Sequence, residues 1–303
     1  MPSHRIPLKN SKGETPSPHE MFSILHEHFV HKPTNADWNP QSIDELIMPI
    51  PAREWHEITT AEIGAILKTT KARSAPGKDH IPWTLLKKIL DHDTLVHIAK
   101  IFNALISSSN LTPALKSAVT VVIPKPNKAD YTKPKAWHPI VLLTCLSKLL
   151  MGVIAKQHNA RAHSLLHPNQ YGGIEGCSAI DAVLLFTQKA HDARYAGMFT
   201  LVLAVDIAQF FPSVQPHIVV EIYKRQGFPK ELVNFLGSYL SDRCTTYKIG
   251  DANSTKFEVQ IGIPQGCKIC PIAACLYIMP ALKMLTPWDP EARQFHQQSC
   301  QDH

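Results

Sequence analysis

Several side chains stand where they could do chemistry. Asp206 closes an unbroken apolar run, Leu201-Val202-Leu203-Ala204-Val205, and the aromatic pair Phe210-Phe211 follows it. An apolar run of this length reads as a strand buried on both faces. A carboxylate at its end needs a partner, and a metal ion, a backbone turn or an arginine would each serve. Lys125, Lys128, Lys133 and Lys135 fall within eleven residues. Four lysines on one loop suit the phosphates of a polyanion, although a solvated loop looks the same in sequence. Cys267 and Cys270 form a CxxC pair that, with Cys300 and His303, has the residue types of a four-ligand zinc site. A single CxxC whose second cysteine enters an apolar helix argues against zinc, because strong zinc signals need two closely spaced pairs. His26-Glu27-His28 invites a metal too, but helical zinc pairs sit four residues apart, so this triplet reads as solvated.

The elements that must position these groups follow from periodicity and punctuation. Residues 1–18 are polar, basic and proline-bearing and read as a disordered lead-in, and 31–56 as a proline-rich connector. Between them Phe22, Leu25 and Phe29 share one face of a short helix. Thr59 and Glu62 have capping-box spacing ahead of Ile63, Ile66 and Leu67. A basic Pro-Gly loop, Lys71 to Asp79, leads to helices from about Pro82 to Leu90 and Asp93 to Ser107. Ala118 to Ile123 is a β-branched strand, and Pro139 to Leu143 pairs back with it as a hairpin whose tip carries the lysines. Helices are predicted at 144–163, 178–195, 214–226 and 230–241, then a hairpin of 247–250 with 257–261. A tight turn at 262–266 and a long apolar helix over 269–285 close the pattern.

Composition bounds the class. The 303 residues are 44% hydrophobic and 18% charged, which describes a core-forming chain and excludes a disordered one. A formal charge of +6 is compatible with nucleic acid without singling it out. The seven cysteines are scattered and mostly sit in apolar segments, so they read as reduced and intracellular. No secretory signal pattern opens the chain and no apolar run reaches the length of a membrane span, so neither secretion nor membrane insertion is expected.

Six short motifs then stand in a familiar order: Ser74-Ala75-Pro76-Gly77-Lys78-Asp79, Ile123-Pro124-Lys125-Pro126-Asn127-Lys128, Trp137-His138-Pro139-Ile140, Gln170-Tyr171-Gly172, the stretch from Asp206 to Val214, and Gly262-Ile263-Pro264-Gln265-Gly266. From about residue 20 to about 285 the chain resembles the reverse transcriptase domain of non-LTR, LINE-like retrotransposons. The resemblance implies an α+β right-hand polymerase with an antiparallel sheet flanked by helices. Residues 57–197 would be fingers and 198–285 the start of the palm, after a lead-in and connector at 1–56 and before an unstructured tail at 286–303. It implies RNA-directed DNA synthesis on an RNA template from a DNA primer, with dNTP as substrate and Mg²⁺ as cofactor.

Residue roles follow from the same resemblance. Asp206 would be the first metal carboxylate and the Ile207 carbonyl a second ligand. Phe211 matches the aromatic gate that leaves no room for a 2′-hydroxyl. Gln265 and Gly266 match the turn under the incoming nucleotide, and Lys125 the lysine that touches the triphosphate. Lys128, with Lys133 and Lys135, would meet nucleic-acid backbone. Two departures bear on function. His138 stands where the family has a triphosphate-clamping arginine, and a mostly neutral imidazole has fewer donors. Cys267 and Cys270 stand where the family has serines. The family's aromatic-Ala-Asp-Asp turn has no counterpart: the chain contains no consecutive aspartates, and after Pro271 its carboxylates are Asp289, Glu291 and Asp302. The expectation is a partial copy, without that motif, the thumb or accessory domains, that does not polymerise alone. The alternative is a non-catalytic remnant that binds nucleic acid.

Overall fold

The computed structural model describes residues 7–30 and 47–285. Helix α1 (Pro18–Phe29) starts where Ser17 accepts a hydrogen bond from the Glu20 amide, and it buries Met21, Phe22, Leu25 and Phe29. Helix α2 (Thr60–Thr69) begins at the anticipated capping box. The Glu62 amide donates to Thr59 Oγ1 at 3.3 Å, and Glu62 Oε2 accepts from the Thr59 amide at 2.8 Å. Helices α3 (Trp83–Ile89), α4 (His92–Ser108) and the one-turn α5 (Pro113–Lys116) lead to strand β1 (Ser117–Pro124), which β2 (Trp137–Leu142) joins as a hairpin. Then come α6 (Cys145–Leu165), α7 (Ala179–Tyr195), the one-turn α8 (Phe210–Ser213), α9 (Pro216–Arg225) and α10 (Lys230–Leu240). The hairpin of β3 (Arg243–Ile249) and β4 (Ala252–Val259) precedes the apolar helix α11 (Cys270–Leu285).

The α+β class holds. The four strands form one sheet in the order β2-β1-β3-β4. Both hairpins are antiparallel as anticipated, but β1 and β3 run parallel, with Ala118 opposite Thr245 and Thr120 opposite Tyr247. A buried 2.7 Å hydrogen bond between the Thr120 and Thr245 hydroxyls satisfies both polar groups at that join. The sheet therefore takes strands from either side of residue 197.

Two cores organise the chain. The larger gathers α2, α4, α6, α9, α10 and α11 around residues such as Phe102, Leu150, Ile154, Phe235 and Leu276. The smaller lies between α1 and one sheet face, where Phe22 and Leu25 share a cluster with Val122, Trp137 and Tyr247. This second core corrects two expectations. From residue 7 the N-terminal segment is held rather than free: Leu8 is fully buried there and the Lys9 amide donates to Thr132 O at 3.0 Å. His26 is not solvated: its Nδ1 is hydrogen-bonded with the Tyr247 hydroxyl at 3.0 Å and its ring lies 4.7 Å from that of Phe257.

The buried strand anticipated at 201–205 does not form. The stretch has no regular structure, and Leu201, Leu203 and Val205 are 96%, 85% and 80% exposed. Apolar content alone does not make a strand. A neighbour must take up its backbone N–H and C=O groups and cover its faces, and no described strand does. Helix α7 shares this condition, with no buried residue and with Ile180, Val183, Leu184 and Phe186 exposed.

Candidate nucleic-acid and nucleotide site

The lysine-bearing hairpin tip is rigid for a local reason. The Tyr131 hydroxyl donates to Lys125 O at 2.6 Å and accepts from the Lys128 amide at 3.3 Å, closing the turn, in which Asn127 adopts a left-handed backbone. The Trp137 indole donates to Tyr131 O at 3.1 Å and ties the turn to β2. The four lysines are not equivalent. Lys125 Nζ donates to the Lys135 carbonyl at 3.1 Å, and Lys133 pairs with Asp130 at 3.3 Å. Hydrogen bonds from the Thr132 hydroxyl and amide hold the Asp130 carboxyl below its usual range, and Lys133 adds to that. Lys128 and Lys135 are exposed. His138, on β2 opposite Ile123 and partly exposed, sits one step from this tip.

The later motifs reach this hairpin through the 262–266 turn. The Gly262 amide donates to Val214 O at 2.8 Å and the Ile263 amide to Phe211 O at 2.9 Å. Gly262 has φ +81°, and a Cβ there would lie 2.8 Å from the Pro212 Cα, so only glycine fits. Gly266, at φ +120°, would place a Cβ 2.8 Å from the Val141 carbonyl of β2. Buried Arg243 fastens the turn from below, donating from Nε to Leu240 O at 3.1 Å and from Nη2 to the carbonyls of Ile261 and Gly262. Phe211 is partly buried, and Gln265 and Gly266 are exposed above the turn. The structure thus brings Phe211, Gln265 and Gly266 together and sets them against β2.

The other motif loops are pinned to the same frame. Lys148 Nζ of α6 donates to Ala75 O at 2.8 Å, which holds the Ser74–Asp79 loop at the end of β2. In the 170–172 loop, Gln170 Nε2 and the Cys275 thiol of α11 both donate to the Gly172 carbonyl, at 2.8 and 3.1 Å. A groove of about 650 Å³ opens between the Ala75–His80 segment and the outer sheet face, with Lys78, His80 and Lys248 on its walls. These three basic residues were not singled out from the sequence. Lys78 lies in a motif already quoted, but Lys248 reaches the groove only through the parallel β1–β3 pairing.

Asp206 and Ile207 stand apart. Both are exposed, in the irregular stretch that precedes the turn to α8, where Gln209 has φ +52°. Among the described residues no group of three or more His, Cys, Asp or Glu side chains could hold a metal ion. A divalent ion of this chemistry takes oxygen ligands from carboxylates, phosphates and water. One exposed carboxylate and one carbonyl do not make a two-metal site, so no catalytic step is derived through one. Cys267 and Cys270 are buried, and Cys300 and His303, the remaining residues of the zinc reading, lie outside the described residues. No described helix is long and apolar enough to cross a membrane.

Comparison with known proteins agrees with the motif order. A family profile described as reverse transcriptase (RNA-dependent DNA polymerase) matches residues 123–296. The probable RNA-directed DNA polymerase from transposon BS of Drosophila melanogaster is 25% identical over 280 residues, covering 89% of this chain and 31% of its own length. The corresponding X-element protein of the same fly is 27% identical over 235 residues, covering 77% of this chain and 25% of its own length. A Pol polyprotein from the type-1 retrotransposable element R2 of Popillia japonica is 28% identical over 155 residues, covering 50% of this chain and 21% of its own length. The chain spans a third or less of the length of these curated relatives. With more than half of its residues inside the family profile, the chain belongs to the reverse transcriptase family, in its non-LTR retrotransposon branch.

Proposed function

We propose that this chain is the fingers and the beginning of the palm of an RNA-directed DNA polymerase, with the boundaries 57–197 and 198–285. It would hold an RNA template and a DNA primer and admit a dNTP, while being unable to complete the chemistry alone. The observation that carries this reading is the docking of the 262–266 turn on both Phe211–Val214 and β2. That contact puts an aromatic gate and a nucleotide platform beside the fingers hairpin. In this reading Phe211 excludes the 2′-hydroxyl, Gln265 and Gly266 lie under the nascent base pair, and Lys125 and His138 face the triphosphate. Lys128, Lys133 and Lys135 meet backbone phosphates, joined by Lys78 and Lys248 along the groove. Asp206 and the Ile207 carbonyl would take Mg²⁺ once further carboxylates are supplied.

A second reading, a non-catalytic nucleic-acid-binding remnant, is favoured by the missing carboxylate cluster around Asp206 among the described residues. One experiment separates the two and tests both. Purified chain is given Mg²⁺, dNTPs and an RNA template with annealed DNA primer, and retention and extension are measured at low salt. Retention without extension is expected. Extension abolished by Asp206→Ala would overturn the claim of inactivity. Absence of any retained RNA or primer–template would overturn nucleic-acid binding.

A further inference from the structure

A cavity remote from the motifs carries a separate inference. It has a volume of about 350 Å³ and lies between residues 53–56, helices α2 and α6, and the start of α10. One water takes up roughly 30 Å³ in the liquid, so the space is not that of a single buried solvent molecule. Its walls hold four buried polar atoms with no hydrogen-bond partner: Arg53 Nη2, Trp55 Nε1, Arg161 Nε and His158 Nε2. Unpartnered buried polar atoms are uncommon in folded proteins, and leaving guanidinium edges unpaired is the most costly case. The nearest wall carboxylate is already engaged. Glu62 Oε1 accepts from Gln157 Nε2 at 2.8 Å, and Oε2 accepts from the Thr59 amide and hydroxyl, each at 2.8 Å.

The fourth atom gives the site its selectivity. His158 is fully buried in α6 and stacked on Phe228 at 4.9 Å. Its Nδ1 lies 2.6 Å from the Ile154 carbonyl, which only accepts, so Nδ1 carries the proton. Burial keeps the imidazole neutral by pushing its pKa down to about 4. Nε2 is therefore a lone-pair acceptor. Three N–H donors and one acceptor converge on one space.

From this arrangement we infer that the cavity is a binding site for a phosphate monoester or free phosphate, an oxyanion that offers several acceptor oxygens and one O–H. The arginines and the indole meet the unprotonated oxygens, and the P–O–H donates to His158 Nε2. A backbone phosphodiester has no such proton, and neither does sulfate near neutral pH. The site thus reads a terminal phosphate and not the interior of a strand.

The test follows the Trp55 indole N–H by proton–nitrogen NMR on the full chain, assigned with Trp55→Phe. Titrants are inorganic phosphate, a nucleoside 5′-monophosphate, sulfate and an unphosphorylated dinucleotide. Saturable shifts with the first two are expected, with sulfate and the dinucleotide about tenfold weaker or more, as for a site whose buried group is left unpaired. A 5′-monophosphate that binds more tightly than phosphate assigns the source to nucleotides or strand ends, and equal binding assigns it to free phosphate. Arg53→Gln with Arg161→Gln should abolish the shift while circular dichroism is unchanged. Should the double variant lose its fold, the wild-type comparison of phosphate with sulfate decides alone. No Trp55 response to millimolar phosphate, or equal response to sulfate, overturns the inference.

Discussion

The Ile263 amide donates to the Phe211 carbonyl at 2.9 Å, and this bond joins two motifs 52 positions apart in sequence. Everything in the nucleotide platform depends on that approach. Gly262, directly before Ile263, permits it by having no Cβ to strike Pro212.

Gly262→Ala is therefore expected to destabilise the chain by about 1–3 kcal/mol from the left-handed backbone alone, and by more from the contact with Pro212. Gly176→Ala supplies the comparison. Gly176 also has positive φ, +84°, but nothing lies within 4 Å of its missing Cβ. Urea unfolding of both variants should show the larger loss at Gly262. Equal losses would mean that the turn does not dock on Pro212.

The hairpin lysines should separate by their partners. Lys128→Glu removes an exposed charge and should weaken RNA binding, lowering the slope of log affinity against log salt by about 1. Lys133→Ala should do less, because Asp130 already holds that ammonium at 3.3 Å. Asp130→Asn should tighten binding by releasing it. Filter binding across a salt series checks all three, and an unchanged slope in Lys128→Glu would exclude the tip from the interface.

His158 predicts an acid limb in stability. Its pKa is about 4 in the folded chain against 6.5 for an ordinary histidine. Above pH 6.5 the imidazole is neutral in both states and the contribution is fully present. As pH falls from 6.5 towards 4 the unfolded chain takes up a proton that the folded chain refuses, and stability falls by on the order of 3 kcal/mol. Urea midpoints measured across that window should fall less steeply in His158→Phe than in the unsubstituted chain.

Much of the frame was legible in the residues themselves. The Thr59–Glu62 capping box, the β1–β2 hairpin with lysines at its tip and the apolar helix over Cys270–Leu285 all follow from local rules. So does the order of the six motifs, which carried the family. Capping, alternation and turn chemistry act within a few residues of chain and leave their marks in sequence.

What local pattern could not supply was partnership at a distance. The run from Leu201 to Val205 reads as a buried strand by composition, yet it lies exposed because no described strand takes its backbone groups. His26 looks like a solvated surface residue until Tyr247, far along the chain, comes to bond it. The parallel join of β1 and β3 decides that Lys248 faces the same groove as Lys78. The gathering of Arg53, Trp55, His158 and Arg161 around one cavity likewise has no spacing that announces it. By itself the sequence determined the elements and the family, since both rest on residue types and their local order. Only the tertiary structure decided which polar groups are satisfied and which remain open, because that depends on the neighbours folding brings, and those neighbours are distant in the chain.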